Sequence, residues 1–257
     1  TLQEIQYKHR FHIRFSRKIE QNSISVRFNP NKRNDILAVN NTQNLLIGLI
    51  SSMKTGLFVD SLETGIEHER LHRLLAETPQ LKQEAAIIEM LSLLRNEGER
   101  TSYSILIPYL LTANNGDETE RILRERFFGI ELFIHRAKNL YHFLEYVDKK
   151  NIVSIEKEDL KRGILAWDMG ELISWARIAC ETGYIDEKTA WEYIKYAGEQ
   201  CRQTFRNWNE IGKSYLIGQA MITDKKEEAD RAIRYFLLAT QDENSPWRKN
   251  HFSLSTT

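Results

Sequence analysis

Only two cysteines, Cys180 and Cys201, occur in 257 residues, and they lack Cys-x-x-Cys spacing. That excludes a disulfide scaffold, a cysteine-based metal cluster and a paired-thiol redox site, and leaves two reduced thiols in helix faces with a cytoplasmic location. Proline (4) and glycine (12) are scarce, so strand-rich classes, which need a turn about every 8–12 residues, are disfavoured. The longest apolar runs, Leu45–Ile50 and Ile105–Leu111, the second interrupted by Pro108, fall far short of the roughly 20 residues that cross a bilayer. A membrane partner is therefore not expected. Neither sign of charge is in excess: 36 Lys+Arg balance 36 Asp+Glu, which excludes a globally basic nucleic-acid binder. Gly-rich phosphate loops and the Gly-x-Ser-x-Gly elbow are also missing.

What remains is 41% hydrophobic and 28% charged, the composition of a globular protein whose length suits one large domain or two small ones. The charge is segregated, with +6 over residues 1–33 and −6 over the rest. Within residues 1–33, Phe11, Ile13 and Phe15 alternate with polar residues, as do Ile24, Val26 and Phe28, around a turn-like Gln21-Asn22-Ser23. This predicts a basic hairpin arm. A helical domain is expected over residues 34–250 and a mobile tail over 251–257. The fold class is mainly α: a compact array of antiparallel helices with a short N-terminal β-hairpin.

Capping residues divide the domain. Asn34 or Asp35 starts a helix through Met53, and Asp60 one to Thr78, stopped by Pro79. Gln80 to Asn96 closes at Gly98; residues 101–111 read as a kinked helix or an extended piece; Asp117 opens a helix through Glu145, with Gly129 in its middle. Ser154 then caps a helix to Glu181 with Gly183 beyond it. Asp186 caps the next, to Phe205; Asn207 opens another, and Asp224 the last, ending near Gln241.

On the Ser154 helix, at about 100° per residue, Leu165, Met169, Leu172 and Ala176 share the buried side, with Trp175 and Ala179 along its edge. Asp168 falls on that edge, where an unpaired carboxylate costs several kcal/mol. Arg177 points elsewhere, so the partner comes from another helix: Arg100, Arg121, or the indole N–H of Trp191 or Trp208.

The string Ile164-Leu165-Ala166-Trp167-Asp168-Met169-Gly170, then Ala176-Arg177, Gly183-Tyr184-Ile185, Ala190-Trp191, Trp208, Tyr215-Leu216-Ile217-Gly218 and Ser245-Pro246-Trp247, resembles the bacterial family of domains of unknown function numbered 1266. Leu91 to Arg100 is similar to that family's upstream helix end, so the resemblance covers roughly residues 40–250. It implies a helical fold and a bacterial origin, and no activity. One position departs from the family pattern: the Arg three residues after the Asp is here Glu171. Trp167, Asp168, Arg177, Tyr184, Trp191, Trp208 and Trp247 are the candidate binding or structural residues, with Gly218 allowing close helix approach and Ser245-Pro246-Trp247 ending the last helix.

One enzyme motif is present. His68-Glu69-Arg70-Leu71-His72 fits H-E-x-x-H, in which two histidines one turn apart hold zinc and the Glu activates its water. Glu67, Arg70 and Arg73 around it describe a solvated face, however, and a third ligand is needed, for which Glu89 is within reach. The expected function is thus non-enzymatic binding of a protein partner, or self-association, in an adaptor or immunity-like role without a cofactor. The alternative is a zinc-dependent hydrolase with His68 and His72 as ligands and Glu69 as base. A nucleic-acid role for the arm, in which Arg10, Arg14, Arg17 and Arg27 interleave with phenylalanines, ranks below both.

Overall fold

The structure, a computed structural model, describes residues 25–31, 39–76, 84–112, 116–126, 130–223 and 225–252. Its elements run α1 (Val39–Ile47), α2 (Leu49–Thr55), α3 (His68–Ala76), α4 (Glu84–Asn96), α5 (Gly98–Thr112), α6 (Gly116–Arg126) and α7 (Glu131–Lys150). They continue with α8 (Lys157–Arg162), α9 (Leu165–Glu181), α10 (Glu187–Thr204), α11 (Trp208–Ile222), α12 (Lys226–Gln241) and α13 (Pro246–Lys249). The chain is mainly helical, as its scarcity of glycine and proline requires. Among the described residues there is no strand, only an isolated parallel bridge between Arg27 and Phe58.

The first strand and turn of the anticipated hairpin lie outside the described residues. Its second half, where described, pairs with the loop after α2 and forms no strand. The Val59 N–H donates to the Arg27 carbonyl at 2.9 Å, the Arg27 guanidinium donates to the Gly56 and Gly65 carbonyls, and it sits 4.9 Å over the Phe58 ring. Asn29 adds bonds to the side chains of Asp60, Ser61 and Glu63.

Several expected boundaries shift, each for a local reason. The first helix is divided at Gly48 into α1 and α2. Asp60 caps nothing: residues 56–67 form an irregular loop, and α3 begins only at His68. Asp60 instead accepts the Asn29 N–H at 2.9 Å, and Gly56 and Gly65 turn the chain with φ of 74° and 71°. The undecided stretch 101–111 belongs to α5, which tolerates Pro108 on an exposed flank. Residues 117–145 make two helices, α6 and α7, which pack on each other. The Ser154 helix likewise divides at Gly163 (φ 86°), and its true cap is Glu156, locked in a capping box with Asp159. Asp186 and Asn207 cap as expected, accepting the Thr189 and Glu210 N–H groups at 2.7 and 2.9 Å. Asp224 lies outside the described residues.

At the centre runs α9, in contact with α1, α2, α4, α5, α10 and α11. An amphipathic helix shows one buried stripe, but here every residue from Ala166 to Ala179 is buried. The wheel found the deepest side of a helix that has no exposed side. Two glycines make the crowding possible. At Gly218 a Cβ would stand 2.5 Å from the Trp167 Cβ, and at Gly170 one would stand 3.2 Å from the Tyr215 ring. The C-terminal end is tied in by indoles. Trp247 and Trp208 stack at 5.3 Å, Trp247 Nε1 donates to the Leu46 carbonyl at 2.7 Å, and Trp208 Nε1 to the Asn250 carbonyl at 2.7 Å. Cys180 and Cys201 are free thiols.

Candidate functional site

A helix buried on all sides carries no charge without partners, because desolvating an unpaired ion costs several kcal/mol. α9 carries three such charges on its buried length, Asp168, Glu171 and Arg177, and each is directed to a different neighbour.

Asp168, 0% exposed, joins two helix ends. Its Oδ1 accepts the Glu99 N–H at 2.7 Å; its Oδ2 accepts the Arg100 N–H at 3.1 Å and Arg100 Nη1 at 2.8 Å. The first-turn amides of α5 have no partner inside the helix, and a carboxylate facing them also meets the positive end of the helix dipole. The Arg100 guanidinium in turn donates to the Leu94 and Arg95 carbonyls, 2.9 and 2.7 Å away at the end of α4. One ion pair therefore closes the α4–α5 junction from both sides. Burial pushes the Asp168 carboxyl up to about 7, against the pull of the Arg100 charge and the two amides. Behind it, Glu99 meets Arg136 of α7 at 2.5 Å. Burial lowers the Arg136 guanidinium, which the Glu99 charge opposes.

Glu171 is the second buried acid of α9. Its Oε1 accepts three donors: Lys54 Nζ at 2.7 Å, the Tyr215 hydroxyl at 2.9 Å and Ser51 Oγ at 3.0 Å. The Ser174 hydroxyl donates to Ser51 Oγ at 2.9 Å. Gln219 Oε1 accepts Lys54 Nζ at 3.3 Å and the Trp167 indole N–H at 3.4 Å. Burial, with the nearby Glu171 charge, raises the Tyr215 phenol well above its ordinary value, so it stays a donor. Ser51 and Lys54, one turn apart on α2, have the Ser-x-x-Lys spacing of some nucleophilic enzymes. Ser51 is 0% exposed, however, so no substrate reaches its hydroxyl in this arrangement.

Arg177 points away from Asp168, as the wheel indicates, and braces the loop after α2. Nε donates to the Leu62 carbonyl at 3.3 Å, Nη2 to those of Phe58 and Glu63 at 2.6 and 2.8 Å, and Nη1 to Ser52 Oγ at 3.1 Å. Burial lowers it to about 10, with Glu181 and Asp60 opposing. At neutral pH it remains charged.

The expected site residues therefore do not converge on one cavity. Trp167 packs over Gly218, Trp208 and Trp247 form one stack, and Tyr184 and Trp191 sit half-buried around the turn after α9. Arg100 proves to be the partner of Asp168; Arg121 pairs on the surface with Glu125 at 2.9 Å. Sequence reading missed Ser51, Lys54, Tyr215, Glu99 and Arg136. The one available signal was Glu171, an acid inside the same apolar run as Asp168 and needing its own cation. Open clefts of about 280 and 240 Å³ flank α7, and one of about 330 Å³ lies beside Arg27 and Arg70; none is lined by Asp168, Glu171 or Arg177.

His68, Glu69 and His72 are exposed on α3. The two imidazoles approach at 3.3 Å, Nε2 to Nε2. Glu89 is exposed on α4, and among the described residues no group of three or more His, Cys, Asp or Glu side chains could hold a metal. No helix among them is long and apolar enough to cross a membrane.

No curated protein and no solved structure matches the chain. A family profile does, over residues 80–252. The motif positions on α9, α10, α11 and α13 all fall within it, and because the match covers more than half of the sequence, this chain belongs to the family described as protein of unknown function (DUF1266).

Proposed function

We propose that this protein works without catalysis, by binding another protein in an adaptor or immunity-like role. The observation that carries this reading is the fate of the buried charges: Asp168, Glu171 and Arg177 are each enclosed and engaged by internal donors or acceptors. Reactive groups are usually held in a cleft with room for a substrate, whereas these brace helix ends and a loop. The surface offers interface chemistry instead. Arg95 of α4 lies over the ring of Tyr196 at 4.7 Å and that of Tyr193 at 5.9 Å, both on α10. Ile88, two turns before Arg95 on the same face of α4, is 41% exposed. Arginine and tyrosine beside an exposed aliphatic residue are the residue types that dominate binding hot spots. The basic first 33 residues and the acidic remainder add a charge asymmetry that steers a complementary partner or a second copy.

The test compares wild type, an Ile88→Asp/Arg95→Glu double variant and His68→Ala as bait against the native host's proteins, with sedimentation of each purified chain alone. The reading expects a partner, or a second copy, that wild type and His68→Ala retain and the double variant loses. Identical binding by all three, or monomers that retain nothing, overturns it. A hydrolase at His68, Glu69 and His72 requires a further ligand beyond the two imidazoles, and no observation favours it over binding.

A further inference from the structure

We infer that His68 and His72 form a two-point chelate for a tetrahedral divalent ion such as zinc on the open face of α3. Residues four apart on a helix share a face, and here that spacing brings the two Nε2 atoms to 3.3 Å. Two imidazole nitrogens, each about 2.0–2.1 Å from one ion at the tetrahedral angle, stand roughly 3.3–3.4 Å apart. A right-angled arrangement at the same bond length would need roughly 2.9 Å. The ring centroids are 4.4 Å apart, farther than the nitrogens, with the planes at 66°. The rings thus approach each other at their Nε2 ends, and a small rotation about the side-chain torsions of two exposed residues turns both lone pairs towards one ion.

The surroundings leave this point free to take an ion. Both histidines are exposed, and their Nε2 atoms face each other. Glu69 projects about 100° away around the helix, and Glu89 lies on α4, outside any ligating group with the pair. The site is therefore a bidentate surface clamp with its remaining positions open to water or to a group from another chain. It differs from a buried hydrolytic centre in needing no general base, and it stands apart from the protein-binding reading, which does not use these residues.

Zinc chloride titrated into the full chain, followed by calorimetry and by the melting temperature, tests the assignment in wild type, His68→Ala, His72→Ala, Glu69→Gln and His135→Ala. Because all four positions are exposed, none of the substitutions threatens the fold. Wild type should take up one ion at this site and melt at a higher temperature as zinc is added. Either His68→Ala or His72→Ala should weaken that binding by about tenfold or more, because loss of one arm forfeits the chelate advantage. Glu69→Gln and His135→Ala should bind as wild type does. Cobalt in place of zinc should give the intense visible bands of a tetrahedral site in wild type and lose them in both His68 and His72 variants. Absence of saturable zinc binding by wild type, or binding in the His68 and His72 variants as tight as in wild type, overturns the assignment.

Discussion

Burial moves the titration of Asp168 towards neutral pH. Its carboxyl is pushed up to about 7 from the 3.8 of an ordinary aspartate because no water reaches it. The folded chain therefore holds a proton on Asp168 between about pH 4 and pH 7 that the unfolded chain has released. Stability linked to this group is fully present below about pH 4 and is lost as pH rises towards 7, with a slope of at most about 1.4 kcal/mol per unit. Urea unfolding of wild type and Asp168→Asn across pH 4.5–8 measures it: the wild-type curve should carry a descending component that the variant lacks. Parallel curves would mean that Asp168 has an ordinary titration in the fold. That an aspartate on this apolar edge needs a partner from another helix was legible from the wheel, and Arg100 was among the candidates. Which one it is depends on how α4 and α5 meet, and no local pattern encodes that. The partners of Glu171 escaped notice because its three donors come from α2 and α11, which lie 117 and 44 residues away along the chain.

At the level of the elements, capping chemistry was a partial guide, right at Asp186 and Asn207 and wrong at Asp60 and Ser154, and glycine was ambiguous. Asp186 and Asn207 work as caps because the amides they satisfy lie three residues on. Asp60 has the same side chain, but its acceptor oxygen is taken by Asn29, a contact between segments that sequence periodicity does not register. Gly98 reads as the end of one helix, and it also begins the next. At φ +60° a Cβ would lie 2.2 Å from Asp168 Oδ2, whereas at Gly183 (φ +80°) a Cβ would meet nothing within 4 Å. The two glycines share a backbone conformation and differ in their surroundings, so alanine separates the contributions. Gly183→Ala should cost about 1 kcal/mol, the conformational penalty alone. Gly98→Ala should cost about 3–5 kcal/mol, since it also displaces a buried ion-paired carboxylate. Equal shifts in the urea midpoint would show that the α4–α5 junction does not depend on Asp168.

Across the whole molecule, the family match begins at residue 80, yet the core does not. α1 and α2 bury Leu45, Leu46, Ile50 and Met53, cover part of α9, and supply Ser51, Ser52 and Lys54 to its charges. A chain starting at residue 80 would expose that face and leave Glu171 without Lys54. It should lack a cooperative thermal transition in calorimetry; a sharp transition at the wild-type temperature would make α1 and α2 an independent appendage. The helical class was readable from composition alone, because few positions can turn and many are apolar at helical spacing. The central place of α9 was not: burial on all sides leaves no polar face to reveal the period.

The account stands on the claim that the buried ionisable side chains of α9 hold the fold together through their hydrogen bonds and are not kept for chemistry. Truncating one side of a buried, saturated ion or ion pair costs about 3–5 kcal/mol. The most direct test is the equilibrium urea unfolding, at pH 7, of Arg177→Ala, whose loss strands the Phe58, Leu62 and Glu63 carbonyls. A loss of about 3–5 kcal/mol against wild type is the predicted result. An unfolding curve that overlays the wild-type curve would contradict it.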